Sequence, residues 1–189
     1  MKKYYIIIVF LIVSNVFSQN KKYDTILFKN IQIDGHEVLF KYKNIRQLEK
    51  YFGTLTKKEK FSEYEKEKLL TIQTKDAFKY SNAEVSLAII RDYAFVYYFN
   101  FDVSKKKLLL SHNGKKIILS GSFKLSQFKT IFPNSYKNAS GLPIIPFDRA
   151  AGVSLVIKDK NKKSYLNLAF YDGNLSSVIF SNNLINMRD

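Results

Sequence analysis

The chain has 189 residues, with 31 basic against 16 acidic side chains for a formal charge of +15, and no cysteine. The absence of cysteine excludes disulfide staples, thiol catalysis and thiolate metal sites, and an apolar fraction of 46% excludes a disordered tail. Without staples, one shared core is expected rather than two minidomains.

Met1, Lys2 and Lys3 give a positive start, residues 4–13 an unbroken apolar run, and residues 14–19 a polar exit. This is the layout of a cleavable signal peptide over residues 1–18, with Val16 and Ser18 small enough to precede a cut before Gln19. The apolar segment is shorter than the roughly 18–20 residues that cross a bilayer, so no transmembrane span is expected after cleavage. No Cys follows it, which closes the bacterial lipoprotein route. The Phe17-Ser18-Gln19 ending resembles the Sec signals of AT-rich, flavobacterial-type Gram-negative bacteria. That resemblance covers the signal alone and implies a periplasmic or secreted protein.

With Lys2 and Lys3 removed, the excess of basic residues is +13. Such a charge favours a protein or an acidic envelope component as partner. Nucleic acid is not expected, because lysine dominates over the arginine forks that read phosphates and no nucleic-acid motif is present. The composition is also what AT-rich codons encode, so basicity alone assigns no function.

Residues 19–189 read as a single domain in two repeats, about 30–103 and 108–182. Asp34-Gly35 is a turn entering a strand over 36–40. Ile45, Leu48, Tyr51 and Phe52 form the apolar stripe of a short helix, capped by Asn44 with Gln47 and stopped by Gly53. The mixed-charge connector 57–68 carries Phe61 and Tyr64 and lacks Pro and Gly, which favours a helix with Glu63, Glu65 and Glu67 at its surface. Residues 83–89 alternate as a strand, and 93–101 form an aromatic strand. After the junction at Lys105, Lys106 and Lys107, the pattern recurs. Asn113-Gly114 leads into a strand over 115–119. Leu125, Phe128, Ile131 and Phe132 repeat the helix stripe, stopped by Pro133. Residues 151–157 echo 83–89, 159–163 make a lysine-rich hairpin tip, and 165–170 form a strand. Asp172-Gly173 then turns into a last strand over 175–180.

The expected fold class is α+β, with two tandem strand-helix-strand-strand repeats forming one helix-backed antiparallel sheet. In architecture this resembles the secreted β-lactamase inhibitor proteins and their single-repeat relatives in outer-membrane assembly, which grip a partner with a concave sheet. The chain differs from them in opening each unit with a strand and in having no disulfides.

His36 and His112 flank the two Gly turns without a carboxylate or second histidine at ligand spacing, so they read as exposed turn residues. Asp148 and Arg149, following 143–146, read as a local ion pair. No phosphate loop, nucleophile elbow or Ser/His/Asp constellation occurs, so no catalytic residue, metal or cofactor is assigned and an enzyme is not expected. Side chains alternate along a strand. Tyr93, Phe95, Tyr97, Phe99 and Phe101 are expected in the core with Val85, Leu87, Ile89, Val153, Leu155, Ile157, Leu166, Leu168 and Phe170. The opposite face then carries Ser86, Ala88, Val96, Tyr98 and Asn100, with Ser154, Val156, Tyr165, Asn167, Ala169 and Tyr171. Tyrosine gives large contact area with a polar tip, and the candidate binding residues are Tyr98, Tyr165, Asn167 and Tyr171. The expectation is an exported non-enzymatic binding protein, acting as an inhibitor, immunity or envelope-interaction module. A basic module on anionic glycolipid or membrane is the alternative, and a hydrolase with an unrecognised site is the third.

Overall fold

A computed structural model describes residues 22–62, 77–141 and 149–181. The expected signal peptide, the acidic run Glu63, Glu65 and Glu67, and Asp148 lie outside the described residues. The chain enters as β1 (Thr25–Leu27) and a single 3-10 turn. It then forms the hairpin β2 (Ile31–Ile33) and β3 (His36–Glu37), the short β4 (Leu39–Lys41) and helix α1 (Ile45–Phe52). A meander follows of β5 (Lys57–Lys60), β6 (Phe78–Ser81), β7 (Val85–Ile90) and β8 (Tyr93–Asn100). A second hairpin, β9 (Leu108–His112) and β10 (Lys115–Leu119), precedes α2 (Leu125–Ile131), α3 (Pro133–Tyr136) and β11 (Ser140–Gly141). Three long strands close the described chain: β12 (Ala150–Asp159), β13 (Lys162–Tyr171) and β14 (Asn174–Ser181).

The expected α+β sheet of helix-backed repeats is not what forms. The protein is mostly β, with α-helices of only eight, seven and four residues among the described residues. Its strands divide between two sheets. The larger has ten strands in the order β1-β12-β13-β14-β8-β7-β6-β5, with β11 beside β12 and β4 beside β8; the smaller runs β10-β9-β2-β3. The hairpin turns explain the split. Asp34, Gly35, Asn113 and Gly114 all have positive φ, so each run folds back on itself, as two-residue turns of this kind require. The two hairpins then join through β2 and β9, with Ile31 opposite Leu110 and Ile33 opposite Leu108. Ile31, Ile33, Leu108, Leu110, Ile117 and Leu119 give the small sheet an apolar face that belongs to the same core as the large sheet. Nor is the large sheet wholly antiparallel, because β1 runs parallel to β12.

Both halves nonetheless run hairpin, helix, meander. They meet at β2–β9 in one sheet and at β8–β14 in the other. Across the second junction β7 is the counterpart of β13, whereas the similar sequence words 83–89 and 151–157 fall on β7 and β12, one strand out of step.

Simple alternation also fails in β8. Ser86 lies opposite Tyr98 but Leu87 lies opposite Val96, so Tyr97 is an extra residue, a β-bulge. The bulge carries Val96 to the face of Leu87, fully buried instead of exposed, and leaves Tyr93 39% exposed instead of in the core. Tyr97 is buried against Phe61, with ring centroids 5.8 Å apart.

The connector departs from helix as well. Its start is the edge strand β5, paired with β6. Cross-strand contacts outweigh a weak helical preference here: Lys58 Nζ lies 4.8 Å from the Phe78 ring centroid, and Glu59 bridges Lys79 at 3.3 Å. An exposed lysine-rich edge also resists pairing with other chains.

The two longer helices form as the stripes require. Asn44 Oδ1 accepts from Gln47 N at the start of α1, and Lys124 N donates to Gln127 Oε1 at the start of α2. Leu48, Phe52, Phe128 and Phe132 are buried, and Phe128 packs 5.9 Å from Phe170 on β13. At the chain entry, Asp24 Oδ2 accepts from Ser135 N at 2.8 Å, and Asp24 N donates to Ser135 Oγ at 2.9 Å. These bonds moor the segment before β1 to α3.

Candidate functional site

Registers across five strands place Ser154, Asn167, Ile179, Tyr98 and Ser86 directly opposite one another on β12, β13, β14, β8 and β7. Directly opposed residues share a sheet face, and this row faces away from Leu155, Leu166, Leu168 and Val178 of the core. A parallel row runs Gly152, Ala169, Ser177, Asn100. The two rows are thus mostly small or polar, with Ile179 and Tyr98 as the large side chains among them. Ser177 and Ile179 complete them from β14. The Asp172-Gly173 turn signals that strand, and alternation along it would have placed both residues on this face.

The four predicted binding residues do not act as one group. Tyr98 stands in the middle row with Asn167, and Tyr171 at the Asn174 end of the same face. The Tyr98 phenol is held above its ordinary pKa by burial first and the Asp102 carboxylate second, with Tyr171 adding to the effect and Ser177 opposing it. Tyr171 is 42% exposed. Tyr165 lies six residues from Tyr171 on the same strand, about 20 Å at the usual strand rise. Its neighbours are Tyr23, whose phenol is raised by burial and then by Tyr165, and Lys163, whose Nζ sits 5.4 Å from the ring centroid.

Asn167 lies between Tyr165 and Tyr171 along the strand but is only 1% exposed. Its Oδ1 accepts from Ser154 Oγ at 2.6 Å and its Nδ2 donates to Ser181 Oγ at 2.8 Å. The amide thus ties three strands together and has little left to offer a partner.

The histidines sit on different hairpins. His36 meets the Tyr51 ring edge-on at 4.3 Å, and His112 packs 5.1 Å from Phe132. Among the described residues no three His, Asp or Glu side chains gather as a metal site. A cleft of about 440 Å³ opens beside His36, lined by Phe40, Lys41, Gln47 and Tyr51. Glu37 also lines it, while Lys41 pairs with Asp92 at 3.6 Å and Gln47 Oε1 accepts from Lys43 N at 2.9 Å. Arg149 pairs with Asp172 across 3.5 Å, both well exposed. None of these arrangements presents a nucleophile beside a base.

No protein-family model, curated protein or solved structure matches the chain. No helix among the described residues is long and apolar enough to cross a membrane.

Proposed function

We propose that the protein is an exported, non-enzymatic binding module that holds a partner protein against the outer face of its large sheet, on the part that carries Tyr98 and Tyr171. The observation that supports this most is the five-strand row Ser154, Asn167, Ile179, Tyr98, Ser86, in which a tyrosine and an isoleucine stand among small polar residues. Five strands of six to ten residues, about 4.8 Å apart, give that face roughly 500 Å² in plan, somewhat less than the ~800 Å² each partner contributes to a stable interface. The locked Asn167 network keeps the face rigid, which lowers the entropy cost of binding. Export rests on the signal layout of residues 1–18, and it places the partner in the periplasm or outside the cell.

The test is affinity capture from the native envelope with wild-type protein and a Tyr98→Ala/Tyr171→Ala double variant. The double variant should lose the captured partner while its melting temperature stays within a few degrees of wild type. Retained capture, or collapse of the fold, would sink the proposal.

A further inference from the structure

The opposite end of the same face has different chemistry. Leu27 lies opposite Lys158 on the parallel β1–β12 pair, and Lys158 lies opposite Lys163 on the antiparallel β12–β13 pair. The next row inward is Thr25, Val156, Tyr165. Leu27 is 45% exposed and stands beside these lysine charges. Lys158 and Lys163 are both exposed, as are Lys160 and Lys162 at the hairpin tip and Lys29 just beyond β1. None of these lysines enters an ion pair among the described residues.

Like charges directly opposite across a ladder destabilise it, so the Lys158–Lys163 pair works against the fold that carries it. Asp159 is the one acid in the hairpin and stands opposite Lys162 instead. A basic tip alone would serve any polyanion. The exposed leucine in the lysine row, with a tyrosine one row inward, narrows the chemistry. Stable attachment to a lipid surface takes two signals, charge and an apolar insertion. Tyrosine settles at headgroup level, and lysine stems lie along apolar surface while their ammonium groups reach phosphate.

We infer that this end of the sheet docks on an anionic membrane surface, with Lys158, Lys163 and the tip residue Lys160 on lipid phosphates and Leu27 and Tyr165 in the interface. The inference stands apart from the Tyr98–Tyr171 reading and uses none of its residues.

The test is co-sedimentation with vesicles of phosphatidylcholine mixed with phosphatidylglycerol, against vesicles of phosphatidylcholine alone. Binding is expected only to the mixed vesicles and should weaken steeply with salt. Lys158→Ser/Lys163→Ser should weaken it about 30-fold, at ~1 kcal/mol for each lysine near an anionic surface. Lys115→Ser/Lys116→Ser removes the same charge from the other sheet and should weaken it far less. Leu27→Ser should weaken it about tenfold, in proportion to the apolar surface it inserts. Tyr98→Ala/Tyr171→Ala should bind vesicles like wild type.

Equal losses in the two lysine pairs would reduce the effect to net charge and overturn the inference. So would an unaffected Leu27→Ser, which would make the tip a site for a soluble polyanion or acidic protein. The fold supplies its own control, since Lys158→Ser/Lys163→Ser should melt at or above wild type. A lower melting temperature would overturn the premise that the pair opposes folding.

Discussion

Asn167 donates from Nδ2 to Ser181 Oγ across the β13–β14 pair at 2.8 Å, and the same amide accepts from Ser154 Oγ on β12 at 2.6 Å. A polar bridge with 1% exposure on the outward side of a sheet makes that face stiff where it would otherwise be held by backbone bonds alone. Asn167→Ala should therefore cost about 2 kcal/mol, the usual penalty for removing a buried hydrogen-bonding group and stranding its partners. Urea titration would show it as a lower midpoint at an unchanged m-value. A loss of partner capture without loss of stability would instead make Asn167 a contact residue.

The buried carboxylate at the chain entry makes a second prediction. Asp24 accepts from Ser135 N and from Asn134 Nδ2, and its own N–H donates to Ser135 Oγ, with both residues nearly inaccessible. Asp24→Ala strands the Ser135 amide at the start of α3 and should destabilise by about 1–3 kcal/mol. Because the pairing of β1 with β12 begins at the next residue, amide exchange should quicken along β1 before it does in β13. Uniform acceleration across the large sheet would show that the mooring is not local.

Tyr98, Tyr23 and Tyr42 all have phenols raised above the ordinary value, each chiefly by burial, with Asp102, Tyr165 and Tyr80 respectively as the next cause. A raised phenol stays protonated in the folded chain after the unfolded chain has begun to ionise. The associated stability is intact below about pH 10, the unfolded value, and is lost as pH climbs through the higher folded values. Urea midpoints should hold steady through neutral pH and decline above about pH 10. Tyr98→Phe should flatten that decline, and an unchanged slope would remove Tyr98 from the account.

Much of the local structure was legible in the sequence. Three Asx-Gly pairs marked turns, and Asp34, Asn113, Asp172 and the glycines after them all adopt positive φ. Helices α1 and α2 begin and end within about two residues of their stripes and stops, the ordinary tolerance for helix boundaries. What the sequence did not disclose is long-range choice. Nothing local to Ile31–Ile33 says that its partner is β9 and not a strand of the main sheet, because both options bury the same alternating apolar face. The bulge at Tyr97 was hidden for a related reason: the run Tyr93 to Phe101 alternates acceptably in either parity, and only the partner strand decides where it slips. Tyr98, Tyr165 and Tyr171 were assigned to one face by parity, as was Asn167, whose amide is bonded to Ser154 and Ser181. Leu27, Lys158 and Lys163 were missed as a group, since their rows exist only once β1 pairs in parallel with β12.

Glycine provides the last prediction, because two kinds are present and sequence does not separate them. Gly114 sits in a hairpin turn with φ 75° and nothing within 4 Å of where a Cβ would stand. Gly114→Ala should cost only the left-handed backbone penalty, about 1–2 kcal/mol. Gly121 has no such backbone requirement, yet a Cβ there would lie 2.9 Å from the Phe101 carbonyl oxygen. That residue has little room to move, because Phe101 is buried, meets Phe99 edge-on at 5.0 Å and donates its own N–H to Ser176 O at 2.7 Å. The other side is also fixed by the Phe123 N–H donating to Ser120 O. Neither backbone can yield without breaking a bond, so Gly121→Ala should cost at least as much as Gly114→Ala and reach about 3 kcal/mol, the upper range for overpacking. Paired denaturation curves of the two variants decide it. A Gly121→Ala protein as stable as wild type would show that the turn after β8 and the segment before α2 do not approach this closely.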